Sequence, residues 1–327
     1  MRFSKLPAVA VALFFSAFAA AADKAPLALL SVSKIWDAAP HNAFTDLIWY
    51  DDQWLCAFRE GKGHVSDDGT LRIISSKTTG NWKSWAHVKM DGVDLRDPKI
   101  CVTPKGELML TTAGARRDQK PVPHESFSWL TRDGKKWDGP FAIGDTNMWM
   151  WRVTWHKGTA YSVGYATAGE KITRLYKSSD GRKFETLVPT LFDKGYPNET
   201  GLIFLPDDTA LCLLRRDGTE SSGMLGRAKP PYTECSWKDI GVKIGGPQLI
   251  RLPDGRLIAG VRLYDGKVRT SIVEIDAETA KLTELVSLPS GGDNSYPGMV
   301  WHDGKLLVSY YSSHEGKSAI YVARLKF

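Results

Sequence analysis

Long amphipathic helical patterns are absent from this 327-residue chain, so helix bundles and layered folds built on crossover helices do not fit it. Cysteine is scarce. Of four, Cys56, Cys101 and Cys212 each lie in an apolar, strand-like run and read as small core residues. Cys235 has no obvious partner, so a disulfide scaffold is excluded. No CxxC pair and no HExxH occurs, which removes the linear zinc signatures; neither metal nor cofactor is expected. The formal charge of +6 is mild and no basic stripe or recognition motif accompanies it, so nucleic acid is not an expected partner. No proline- or serine-rich linker, charge block or low-complexity stretch divides the chain, which argues for one domain.

The N-terminus is written differently from the rest. Arg2 and Lys5 precede an apolar run from Leu6 to Phe18, and small residues follow at Ala19–Ala22. This is the pattern of a secretory signal peptide, residues 1–22, with cleavage expected near Ala22. A membrane anchor is the alternative, but the run is short for a span and no basic flank follows it. Secretion or a periplasmic location is expected, with no membrane span after processing. Residues 23–327, about 305 in all, suffice for one large domain.

What is present is a repeat. Tyr50–Phe58 (YDDQWLCAF), Thr103–Ala113 (TPKGELMLTTA), Trp155–Tyr165 (WHKGTAYSVGY), Leu205–Arg215 (LPDDTALCLLR), Leu252–Arg262 (LPDGRLIAGVR) and Trp301–Tyr311 (WHDGKLLVSYY) each place a tight turn before an apolar run. With turn positions at Asp52, Gly106, Gly158, Asp208, Gly255 and Gly304, the period is roughly 47 to 54 residues, the spacing of four-stranded blades. Six units make an all-β, six-bladed β-propeller. Closure by pairing Leu29–Trp36 with Ala319–Leu325 would remove the exposed sheet edges. Ser178–Phe184 and Thr131–Trp137 resemble the Asp-box hairpin S-x-D-G-x-x-W, with Ser76–Trp82 a decayed copy. These turns are read as structural. Twelve tryptophans suit short packed strands.

Arginines stand at or near the ends of these units: Arg59, Arg96, Arg152, Arg215 and Arg269. Guanidinium pairs bidentately with carboxylate, so a set converging on one channel mouth would suit an acidic ligand.

A family resemblance enters with Asn198-Glu199 through Leu205-Pro206-Asp207-Asp208 and on to Arg215. This resembles the sialidase superfamily pattern N-E, then L-x-D-G, then a strand ending in arginine. Ser295–Val300 followed by Lys305–Tyr310 looks like the last blade of that family. The resemblance implies a nucleophilic Tyr296, with Glu199 as its partner and Arg215 and Arg269 as carboxylate-binding arginines. Departures are equally plain. Where sialidases open the first blade with an arginine, this chain has Ala43 within His41–Leu47. In the loop Glu60–Asp68, His64 falls nearest the position of the family's acid aspartate. The chain is therefore similar to a divergent branch, and Arg59, Arg96, Arg152, Asp97 and His41 are further substrate-binding candidates.

The chemistry of the pair is coherent. A free tyrosine ionises near pH ~10, so it needs an adjacent base, and tyrosine-nucleophile sialidases are known exceptions to two-carboxylate hydrolysis. His64 has the right range for leaving-group protonation. The leading expectation is a monomeric glycoside hydrolase acting on a glycan whose terminal sugar carries a carboxylate, sialic acid or a relative. A lyase or hydrolase of uronic-acid glycans using His41 or His64 is the second. A glycan- or protein-binding propeller without activity is the third, because propellers host all three. A hydrogen bond between Tyr296 and Glu199 favours the hydrolase; a Tyr296 turned away from the channel favours the binder.

Overall fold

The computed structural model describes residues 26–219 and 221–327, and the signal segment expected at 1–22 lies outside the described residues. Among the described residues, 24 strands form six antiparallel four-stranded sheets. In each of blades 1 to 5 the strands follow in order from the channel outward, with inner strands His41–Tyr50, Val93–Val102, Met148–His156, Pro197–Phe204 and Ile244–Arg251. Blade 6 begins at its inner strand Asn294–His302 and takes its outermost strand, Ala28–Trp36, from the start of the described chain. That strand pairs antiparallel with Ala319–Lys326, from Ala28 opposite Lys326 to Trp36 opposite Ile320. The ring closes as expected.

Local chemistry explains the blades. Asp52, Gly106, Gly158, Asp208, Gly255 and Gly304 all have positive φ, so the six turn positions of the repeat are the residues on which the chain reverses. In the turn after Ser126-Phe127-Ser128-Trp129-Leu130-Thr131, the Asp133 carboxylate accepts from the Lys135 and Lys136 amides at 2.8 and 2.9 Å. Asp180 does the same for Arg182 and Lys183 at 2.8 and 3.1 Å.

Burial falls from the channel outward: His41–Leu47 is buried, whereas Ala28–Leu30 at the rim of blade 6 is exposed apart from its packing on the neighbouring strand. The core lies between blades. Leu55, Ala57, Leu71 and Ile73 of blade 1 meet Leu95, Leu108, Leu110 and Trp129 of blade 2. Each fully buried Leu or Ile of this kind contributes roughly 1.5–3 kcal/mol relative to exposure.

One irregularity recurs and prepares the site. Every inner strand breaks register once, between Ala43 and Asp46, Arg96 and Lys99, Met150 and Val153, Pro197 and Thr200, Gly245 and Gln248, and Ser295 and Gly298. These bulges form one level around the channel. Four of them place a residue in the left-handed region: Phe44 (φ 62°), Asp97 (51°), Gly246 (57°) and Tyr296 (51°). Bulges re-aim side chains, and a left-handed non-glycine residue is costly unless its surroundings hold it. On the far side of this level the channel widens into a cavity of about 350 Å³ lined by Asp46, Lys99, Arg152, Gln248, Trp155 and Met299. Tyr296 and Glu199 do not line that cavity.

Candidate active site

The bulge in blade 6 turns Tyr296 toward blade 4, where Glu199 occupies the corresponding bulge. The Tyr296 hydroxyl donates to Glu199 Oε1 at 2.5 Å. Arg215, at the end of the adjoining strand, donates from Nη1 both to Glu199 Oε2 at 2.8 Å and to the Tyr296 oxygen at 3.0 Å. The Gly246 amide supplies a fourth contact, to Glu199 Oε2 at 2.8 Å. Glycine is favoured there on two counts. Its φ is positive, and a Cβ would lie 3.1 Å from the Tyr296 ring. Around the ring, Phe44 and Trp151 stand edge-on at 5.3 and 5.6 Å, and the Arg262 guanidinium lies 5.2 Å from its centre.

The electrostatics assign the proton. Burial pushes the Glu199 carboxyl up, but Arg215 beside it, then the Tyr296 hydroxyl and the Gly246 amide, hold it below the usual range. Burial, reinforced by the Glu199 charge, pushes the Tyr296 phenol well up, against Arg215 and Arg262. In the resting state Tyr296 is therefore the neutral donor and Glu199 the charged acceptor. Asp97 is the opposite kind of carboxyl. It is 8 % exposed, its Oδ1 is buried without a hydrogen-bond partner, and burial pushes it up to about 6, with Glu199 adding and Lys99, Arg96 and His64 opposing. A carboxyl so placed is protonated below about pH 6, and keeps a proton to a higher pH than an exposed aspartate does.

The structure gathers only some of the arginines singled out in the sequence. Arg215 is at the site. Arg269 is not: it is held by Glu284 at 2.6 Å and Asp265 at 3.1 Å, between the two outer strands of blade 5. The blade 5 arginine at Tyr296 is Arg262, which also donates to Tyr311 at 3.1 Å and to the Asn294 carbonyl from Nε at 2.9 Å. The sequence held a signal for it, since Arg262 ends its repeat unit as Arg215 ends the preceding one. Arg59 cannot meet a ligand. It is fully buried against Asp94 at 2.8 Å and supports the following loop through the Gly63 carbonyl at 2.7 Å and Ser66 at 2.8 Å. Arg152 is buried in the channel, bridging Asp46 of blade 1 and the Pro297 carbonyl of blade 6 at 2.8 Å each. Arg96 shares Asp94, at 2.7 Å, and lies over Trp149 at the mouth with its side chain 14 % exposed.

His41 and His64 sit on the blade 1 side, as expected, and both point at a residue the sequence did not mark. His41 Nε2 is 3.0 Å and His64 Nδ1 2.6 Å from Asp293 Oδ2. Tyr311 donates to the other oxygen at 2.7 Å. Burial pushes the Asp293 carboxyl up, but the His41 and His64 contacts and Tyr311 hold it well below the usual range. His64 contacts Phe44 edge-on at 5.0 Å, so one ring separates it from Tyr296.

No family model and no curated protein matches the chain. Solved structures do. A Dyadobacter fermentans protein of unknown function superposes with a TM-score of 0.81 at 21 % identity, over 92 % of this chain and 99 % of that one. The GH93 alpha-L-arabinofuranosidase of Fusarium graminearum gives 0.73 at 14 % identity, over 91 % and 98 %. Trypanosoma rangeli sialidase gives 0.67 at 11 %, over 88 % of this chain but 55 % of the sialidase. The shared property is the fold. The chain is a six-bladed β-propeller.

Proposed function

We propose that this chain is a glycoside hydrolase that removes a terminal sugar, with Tyr296 as nucleophile, Glu199 as its base and Asp97 as the acid. The observation that carries the reading is the 2.5 Å hydrogen bond from Tyr296 to Glu199, made at the inner-strand bulges of blades 6 and 4 with Arg215 3.0 Å from the phenol oxygen. As the phenol oxygen bonds to the anomeric carbon, its proton passes to Glu199, and Arg215 stabilises the developing phenolate. The bond to the leaving oxygen breaks as that oxygen takes the Asp97 proton. Water then attacks the tyrosyl-linked sugar, giving its proton to Asp97, while Glu199 returns its proton to Tyr296. The glycoside hydrolases among the structures of the same fold support the class of reaction. The signal-like segment at 1–22 supports an exported protein.

The charges around Tyr296 favour a neutral sugar over the carboxylated one expected from the resemblance. Arg215 is shared by Glu199 and Asp217, and Arg262 faces Asp293 at 3.6 Å. Two guanidiniums among three carboxylates leave neither guanidinium free for a substrate carboxylate beside the nucleophile. The second reading, an acidic sugar, rests on a different place. Arg59, Arg96 and Arg117 all converge on the single carboxylate of Asp94, and Arg96 and Arg117 reach the surface. A panel of aryl glycosides of arabinofuranose, sialic acid and uronic acids tests both. Turnover of the neutral arabinofuranoside, abolished in Tyr296→Phe, is expected. Turnover confined to acidic members would overturn the neutral assignment, and full activity in Tyr296→Phe would overturn the nucleophile.

A further inference from the structure

We propose that His41, His64 and Asp293 form a binding site for a divalent transition-metal ion, zinc by preference, at the seam between blades 1 and 6. One ligand atom from each lies within 4.8 Å of the others. The two imidazole nitrogens already flank a single carboxylate oxygen, at 3.0 and 2.6 Å. Ligands about 2.0–2.2 Å from a common ion stand roughly 3 Å apart when adjacent in its shell, so small shifts admit the ion. Two imidazoles and one carboxylate, with the remaining positions open, make a donor set suited to zinc rather than to calcium or magnesium.

The three ligands are held from behind, which distinguishes this cluster from a chance surface contact. His41 opens the inner strand of blade 1 and is buried. His64 is half exposed, but its loop is tied down by the buried Arg59 through the Gly63 carbonyl and Ser66. Asp293 immediately precedes the inner strand of blade 6; its second oxygen accepts from Tyr311, and its carbonyl accepts from the Ser313 amide at 3.0 Å. Phe44 packs against both imidazoles. Tyr311 is an outer partner of the kind that fixes ligand orientation in metal sites, whereas His41 is held by burial alone, its Nδ1 having no hydrogen-bond partner. The ligands come from segments more than 200 residues apart that meet only when the ring closes, which is why no linear motif announces them. His64 and Asp293 are solvent-accessible, and the cluster lies one aromatic ring from Tyr296, so water or a sugar hydroxyl would complete the shell.

The test is calorimetric titration of the purified, chelator-treated chain with zinc chloride, together with measurement of retained metal after desalting. Saturable binding of one zinc per chain is expected. His64→Ala, at an exposed loop position that the fold does not depend on, should weaken it at least about tenfold, and His41→Ala should do the same. Asp293→Asn should abolish it, with near-UV circular dichroism reporting whether that variant keeps its fold. Absence of saturable binding would overturn the proposal. Binding that His64→Ala leaves unchanged would overturn it equally, since the ion would then sit elsewhere.

Discussion

Asp97→Asn should separate what the acid costs from what it does. The unfolded chain holds this carboxyl near its ordinary value of 3.8, and burial in the folded chain pushes it up to about 6. The folded state thus binds the proton more tightly. Its contribution to stability is fully present below about pH 4 and is lost as pH rises through about 6. At about 1.36 kcal/mol per pH unit, the interval corresponds to about 3 kcal/mol of charge-burial cost at pH 8. Asparagine carries no charge and nearly the same shape, but it leaves the buried Oδ1 unpartnered and adds a donor. About half of the cost should therefore be recovered. That is about 1–2 kcal/mol, or roughly 2–3 °C in Tm for a domain of this size, and the advantage should vanish at pH 4. Turnover should fall by a factor of about 100 or more, as expected for loss of a general acid. Thermal unfolding at pH 4 and pH 8, paired with steady-state kinetics, reads both effects. A stability difference that does not depend on pH would refute the assigned protonation state, and unchanged turnover would refute the role.

Two further outcomes follow from the geometry. Gly246→Ala forces a Cβ to 3.1 Å from the Tyr296 ring at a positive φ, so a loss of about 1–3 kcal/mol in denaturant unfolding and a reduced kcat are expected; wild-type kcat would show that the ring position is not critical. Arg262→Leu removes the cation over Tyr296 and should lower kcat about tenfold, whereas Arg269→Ala should change activity less than about twofold and stability by less than about 1 kcal/mol, because its pairs lie in the outer half of the blade. Equal losses in the two variants would reverse the assignment.

The fold was legible because its signals are local. A turn needs a residue tolerant of positive φ, a strand needs an apolar run, and both are written within a dozen residues, six times over. Tyr296, Glu199 and Arg215 were legible for another reason: the motif around each survives in recognisable form. Arg262 and Arg269 flank one turn, before and after it, and only strand pairing shows that Arg262 is the one on the strand beside the inner strand. Phe44, Asp97 and Tyr296 gave no hint of their left-handed backbone, since a bulge depends on the opposing strand as much as on the residue itself.

Blade number, ring closure and the pairing of Tyr296 with Glu199 were thus legible in the sequence. Which charges neutralise one another was not. Arg59 meets Asp94 across two blades, Arg152 meets Asp46 across the channel, and His64 meets Asp293 only at the closing seam. Whether an arginine is free for a ligand depends on distances of a few ångströms between segments far apart in the chain. Coulomb attraction and desolvation both change steeply over that range, so tertiary structure alone decided that these arginines face inward to carboxylates of the protein.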